Sequence, residues 1–210
     1  MKLFKFLIGP FFSRWIMPSQ NRKDTSEYQA LRKETQRDDV HILNGMLDSS
    51  HKAQVNFATF SVDPEKNFKS EKKVMIFAVG NGSGYEKYFD YYVEMAKKYP
   101  NALIVAYNFR NVYASSKTKV ICEQDWVDDA KAVINHCREL GYEAEDTLVC
   151  GHSLGGAIST IAVHQIYEAD KKQALEKGQD PKDVKAIRLI NNRSLSDLPY
   201  VGMLYIMGLN

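Results

Sequence analysis

The 210-residue sequence predicts an α/β protein: a mostly parallel sheet with helices on both faces. Three observations carry that reading. Short apolar runs recur at Lys73 to Val79, Ala102 to Tyr107, Thr147 to Cys150 and Val184 to Ile190. Between them, apolar residues fall at helical spacing, first Tyr88, Tyr92, Met95 and Tyr99, then Trp126, Ala130, Val133, Cys137 and Leu140. The first two runs are apolar almost throughout, as strands covered on both faces are. Strands that alternate with helices specify parallel crossovers, and these place the functional loops at the carboxyl ends of the strands.

Length and composition bound the rest. The chain is long enough for one domain with a real core and too short for two comfortable ones. A net charge of +2, with no basic run interleaved with aromatics, argues against a nucleic-acid partner. Cys122, Cys137 and Cys150 are an odd number without metal-ligand spacing, so they read as thiols of a reducing compartment, and no metal or cofactor is expected.

Taken in order, Met1 to Met17 is apolar and aromatic but broken by Lys2, Lys5, Pro10 and Arg14. It is too short and too charged to span a bilayer, and Arg14-Trp15 stands where a signal peptide would carry small residues. Residues 1–17 are therefore expected to lie on a membrane surface or to dock on the protein as an arm, with a poor secretion signal as the other reading. Charge density from Asn21 to Arg37 reads as a solvated helix or linker, which divides the chain into residues 1–37 and a domain at 38–210. Val40 and Ile42, the Asn44-Gly45 pair and the run from Gln54 to Val62 read as a β-hairpin turning at Asn44-Gly45. Asp63 to Lys72 is a polar loop, Pro100 and Gly141 stop the two helices, and a helix from Ile158 to Ala169 is followed by a charged connection at 170–183.

The chemistry is concentrated in Gly151-His152-Ser153-Leu154-Gly155-Gly156, which joins a strand directly to a helix. A serine raised on so sharp a turn needs small neighbours two residues before and after it, and Gly151 and Gly155 supply them. The helix that follows aims free N–H groups at whatever Ser153 attacks, so Ser153 is the candidate nucleophile and Leu154 N–H a candidate oxyanion donor. Gly80-Asn81-Gly82-Ser83-Gly84 ends the Lys73 strand, and Gly82 lets the N–H of Ser83 or Gly84 approach as the second donor. The same glycines invite a dinucleotide-binding alternative, but its third glycine would fall where Tyr85 stands, and no Lys completes a phosphate loop.

From Lys72 to Asn192 these motifs resemble the α/β-hydrolases: a Gly-rich turn, an Arg-containing loop at Arg110, an acidic amphipathic helix, then Gly-His-Ser-Leu-Gly-Gly. Gly80-Asn81-Gly82-x-x-Tyr85-Glu86 with Asn192-Arg193-Ser194-Leu195-Ser196 is similar to the SidB-like hydrolases secreted by Legionella, which resemble lipases. The resemblance implies a serine hydrolase acting on a lipid or acyl ester, placed in the cytoplasm or delivered as an effector into a host cell. Departures exist: Asn81-Gly82 replaces the usual His-Gly, and Arg110-Asn111-Val112-Tyr113 replaces Arg-Gly-x-Gly. The family order places an acid and then a histidine after the serine, on loops after the seventh and eighth strands. Asp197 is the candidate acid, and no histidine follows His164. His41, His51, His136, His152 and His164 are expected to be structural or solvated. Strands 7 and 8 and the basic histidine are thus expected beyond Asn210, with the apolar stretch 200–207 left uncovered. A fragment, a remnant and a partner-binding surface are the three accounts, and the alternative function is a catalytically dead hydrolase-fold binding protein.

Overall fold

The computed structural model describes residues 24–64, 73–81 and 83–193. Within them the chain runs α1 (Ser26–Leu31), β1 (Gln36–Arg37), β2 (Val40–Asp48), β3 (Gln54–Ser61), β4 (Lys73–Ala78), α2 (Phe89–Lys98), β5 (Ala102–Tyr107), α3 (Glu123–Glu139), β6 (Thr147–His152), α4 (Leu154–Glu176) and β7 (Arg188–Asn192). The seven strands form one sheet in the order β1-β2-β3-β5-β4-β6-β7. β4, β5, β6 and β7 are parallel where they pair, and β1, β2 and β3 extend the sheet antiparallel from β5. The predicted mostly parallel sheet, with helices on both faces, is the one observed.

Burial follows from position in that sheet. Every residue of β5 is buried, as befits a central strand covered on both faces. β4 instead alternates: Val74, Ile76 and Ala78 join the core under α3 and α4, while Met75 and Phe77 turn toward α2. Helix α2 buries Phe89, Tyr92, Val93 and Ala96. The expected stripe is therefore displaced, because Tyr88 ends a short 3-10 turn (Tyr85–Tyr88) before the helix begins. Gly141 terminates α3 at φ 86, a backbone region that glycine enters without a Cβ clash.

Four expectations need correction. Asn44-Gly45 lies inside β2, and the hairpin turns at 49–53, where His51 and Lys52 take positive φ of 55 and 58. Gly45 answers to packing: a Cβ there would stand 2.5 Å from Phe57 Cε1. Helix α4 starts at Leu154 and continues through Glu176, so the charged stretch from Asp170 is mostly helix, and β7 is the short Arg188–Asn192. Residues 1–17, Gly82, Asp197 and the stretch 200–207 fall outside the described residues.

At the carboxyl end of β5 the chain buries a cation. Arg110 is 0% exposed; its Nη2 and Nε hold Asp129 Oδ1 at 2.7 and 3.0 Å, and its Nη1 lies 3.1 Å from Asp125 Oδ1. Nη2 also donates to Ser49 and Ser50 Oγ, which ties the β2–β3 turn to α3. Asp125 accepts from the N–H groups of Ile121 and Cys122 at the start of α3. Burial raises its pKa, but these donors, His51 and Arg110 outweigh that and leave the carboxyl below its ordinary range. Removing one member of such a cluster leaves an uncompensated buried charge. Arg110→Ala is expected to lose about 3 kcal/mol or more of unfolding free energy in urea titrations, several times the loss from an exposed arginine such as Arg188→Ala.

Candidate active site

The chain reverses its direction across the sheet between β4 and β6. From β4 it crosses over α2 to β5 on one side, and from β6 it crosses over α4 to β7 on the other. The carboxyl ends of β4 and β6 are therefore the topological switch point, where open parallel sheets form their crevice. The two glycine-rich turns of the sequence occupy those ends.

Ser153 joins β6 to α4 with φ 53 and ψ −120. Such backbone costs an L-residue about 1–3 kcal/mol and survives only where the surroundings over-determine it. They do so here. Ser153 N–H donates to Asn192 O at 2.9 Å, and Ser153 O accepts from Gly156 N at 3.0 Å and Ala157 N at 3.2 Å. Both predicted elbow glycines are sterically required: a Cβ on Gly151 would meet Gly156 Cα at 2.5 Å, and one on Gly155 would meet Ala78 O at 2.4 Å. The helix start is thus driven onto β4 and β6 with the serine at its tip.

The loop after β4 passes beside that tip, since a Cβ on Gly80 would stand 3.2 Å from both Ser153 Cβ and His152 O. Ser83 is half-buried in the same loop, and Tyr85 is fully buried. Leu154 buries its side chain in the core, while its N–H belongs to the first turn of the 23-residue α4, where amides lack intrahelical partners. Partial positive charge at this helix end favours an anion. Cys150, three residues before the serine, does not compete as a nucleophile, because burial pushes its thiol up to about 11.

No acid–base pair meets Ser153 among the described residues. His152 turns its ring against Gly80, His164 lies about 16 Å along α4 at the helical rise, and His41 is exposed on β2. His136 sits in the last turn of α3 against the Phe57 ring. His51 has a partner that sequence reasoning missed: its Nδ1 lies 2.9 Å from the buried Asp125 carboxylate. Three strand spacings, about 14 Å, separate β3 from β6, so this pair belongs to the Arg110 corner and not to the serine. No signal in the sequence marks it, because 74 residues separate the partners. Among the described residues no group of three or more His, Cys, Asp or Glu is placed to hold a metal ion. An open polar cleft of about 350 Å³, lined by Arg138, Glu143, Asp170, Lys177 and Lys185 among others, lies at the far end of α4 and does not involve the serine turn.

No family model matches the chain, and neither does any curated protein. Among solved structures it is similar to an esterase/lipase from an uncultured bacterium, at 13% identity and TM-score 0.48, over 80% of this chain and 50% of that one. An esterase from Pyrococcus furiosus gives 13% and 0.48, over 65% and 55%. The Vigna radiata epoxide hydrolase gives 14% and 0.45, over 58% and 34%. The chain thus spans about a third to a half of the length of these proteins. What the chain itself shows is an α/β fold with a mostly parallel seven-stranded sheet and a serine in strained backbone between β6 and α4.

The strain makes a sign prediction. Glycine in place of alanine ordinarily costs about 0.5–1 kcal/mol. At position 153 the order should invert: Ser153→Gly is expected to unfold at higher denaturant than Ser153→Ala, and a lower midpoint for the glycine variant would refute strain at this turn.

Proposed function

We propose that this chain carries the nucleophile and oxyanion half of a serine hydrolase. Its Ser153 Oγ attacks the carbonyl carbon of an ester or thioester, and the Oγ proton passes to a base. The N–H groups of Leu154 and Ser83 hold the oxyanion, the C–O or C–S bond breaks as the base returns the proton to the departing oxygen or sulfur, and water then hydrolyses the acyl-Ser153 ester to free the serine. The observation that carries the reading is Ser153 at φ 53, packed between Gly151 and Gly155 and flanked by Gly80. In this reading Asp197 is the acid, and none of the described histidines is the base.

The narrower assignment rests on sequence. Gly80-Asn81-Gly82 with Tyr85-Glu86, and the Asn192-Arg193-Ser194-Leu195-Ser196 run, support likeness to the lipase-like SidB hydrolases of Legionella. From that likeness follow a lipid or acyl ester substrate and a site of action in the cytoplasm or, as an effector, in a host cell. Residues 1–17 are the proposed membrane contact. No helix among the described residues is long and apolar enough to cross a bilayer.

A second reading, a hydrolase fold that binds without turnover, is favoured by the lack of a histidine at Ser153 among the described residues. Labelling with a fluorophosphonate probe, with imidazole supplied in solution as the base, separates the two: the hydrolase reading expects covalent labelling of the wild-type chain and none of Ser153→Ala. A well-folded wild type that stays unlabelled would leave the binding protein standing. For the membrane contact, removal of residues 1 to 20 is expected to reduce co-sedimentation with liposomes, and unchanged binding would dismiss it.

A further inference from the structure

The loop that supplies an oxyanion donor is held in place by a side chain on the neighbouring strand end. Asn108 follows β5 directly and is 0% exposed. Its Oδ1 accepts the Tyr85 N–H at 2.9 Å, and its Nδ2 donates to both oxygens of Glu86, at 2.9 and 3.0 Å. Glu86 is 2% exposed and receives the Arg32 guanidinium, which also binds Asp24. The amide itself is anchored, because Asn108 N–H donates to Asn56 O at 2.9 Å and Asn108 O accepts from Ser115 Oγ at 2.9 Å. Tyr85 is pinned at its far end too, where its hydroxyl lies 3.1 Å from Asn44 Oδ1 and from Asn56 Oδ1.

The chemistry of this clasp selects one residue type. A primary amide presents an acceptor and a donor on one rigid plane, so it can take an N–H and give to a carboxylate at once. The neighbours fix its orientation, since a flipped amide would set N–H against N–H and oxygen against Glu86. Aspartate keeps the acceptor but loses the donor and brings a second negative charge against Glu86, and leucine loses both. The loop has little room to adjust otherwise, because a Cβ on Gly84 would meet the Tyr113 ring at 2.2 Å and Glu86 Oε2 at 2.5 Å.

We propose that Asn108 is a positioning residue of the oxyanion loop: clamped by Glu86 and, through it, by Arg32 of the α1 segment, it holds the Tyr85 N–H and so fixes the course of the loop whose start, Gly80, flanks Ser153. This role rests on the reading of Ser153 as nucleophile and of Ser83 as donor. Asn108 acts through the loop and touches no reacting atom. It also makes α1 part of the active-site support, which its exposed, separate position in the chain does not suggest.

Two measurements test it. In Asn108→Asp, an isosteric change, the maximal rate of fluorophosphonate labelling at Ser153 is expected to fall about tenfold, with a smaller change in half-saturating probe concentration, as for a weakened oxyanion donor. The ratio of variant to wild-type rate should then rise as pH is lowered, because the introduced carboxyl, once protonated, regains a donor toward Glu86. A merely destabilised loop would show no such recovery. In Asn108→Ala, hydrogen exchange at the Tyr85 amide should quicken about tenfold while the β5 amides keep their protection. Variants that label at the wild-type rate, an Asn108→Asp variant whose defect is flat with pH, or an unchanged Tyr85 exchange rate would each overturn the proposal. If Asn108→Ala does not fold, Asn108→Asp decides it alone. A wild type that fails to label overturns the nucleophile reading, and this role with it. Labelling of both wild type and variants at one rate overturns the positioning role alone.

Discussion

The close approach of the start of α4 to the ends of β4 and β6 constrains everything at the carboxyl edge of the sheet. It brings Gly155 within a missing Cβ of Ala78 O, and Gly151 within a missing Cβ of the Gly156 backbone. With both strands and the helix that near, no loop fits between β6 and α4, and the single joining residue must turn the chain through positive φ. Ser153 is that residue. The same approach explains why the all-round buried first turn of α4, Leu154 to Ser159, is built from small and apolar residues, whereas the helix's later turns are largely exposed.

Two buried polar centres hold the loops around this edge, and they divide the work. Arg110, Asp125 and Asp129 tie the β2–β3 turn to α3, and Asn108, Glu86 and Arg32 tie the β4–α2 loop to α1. Both begin at the end of β5, one residue apart from each other across Phe109. Their chemistry differs in a way that matters. The first centre carries one cation against two carboxylates, one of which also accepts the Ile121 and Cys122 amides just before α3, and it lies three strand spacings from the serine. In the second, burial pushes the Glu86 carboxyl up while Asn108 and Arg32 pull it back, and it borders the loop beside Ser153.

Much of this is legible in the sequence where the requirement is local. The strand runs at 73–79 and 102–107 are readable from apolarity alone, and Gly151 to Gly155 from the steric need of a strand-to-helix serine. Where the requirement is tertiary, the reading fails for identifiable reasons. Asn44-Gly45 looks like a hairpin turn, yet Gly45 exists to admit the Phe57 ring from the opposite strand, and the real turn uses His51 and Lys52 in positive φ that their side chains do not advertise. The charged stretch after Asp170 looks like a connection because an exposed helix half has no apolar periodicity to show. Arg110 is visible only as a loop residue, and its partners lie 15 and 19 residues away on a helix face.

The same distinction bears on the base that the proposed chemistry requires. A serine raised on this turn is defined by backbone, so a short motif marks it, and two dihedrals and a few contacts describe its geometry. A general base is defined by where its ring nitrogen ends up, which no spacing rule encodes: His51 has the buried carboxylate partner that an orienting acid would provide, yet three strand spacings separate it from Ser153. Pairing with an acid is therefore not enough to nominate a base. The serine, by contrast, stands in backbone that carries a cost. A backbone conformation that disfavours an L-residue is kept at position 153 by two glycines and by the Asn192 carbonyl, and the close packing of α4 on β4 and β6 that demands it also holds the serine at the tip of the turn.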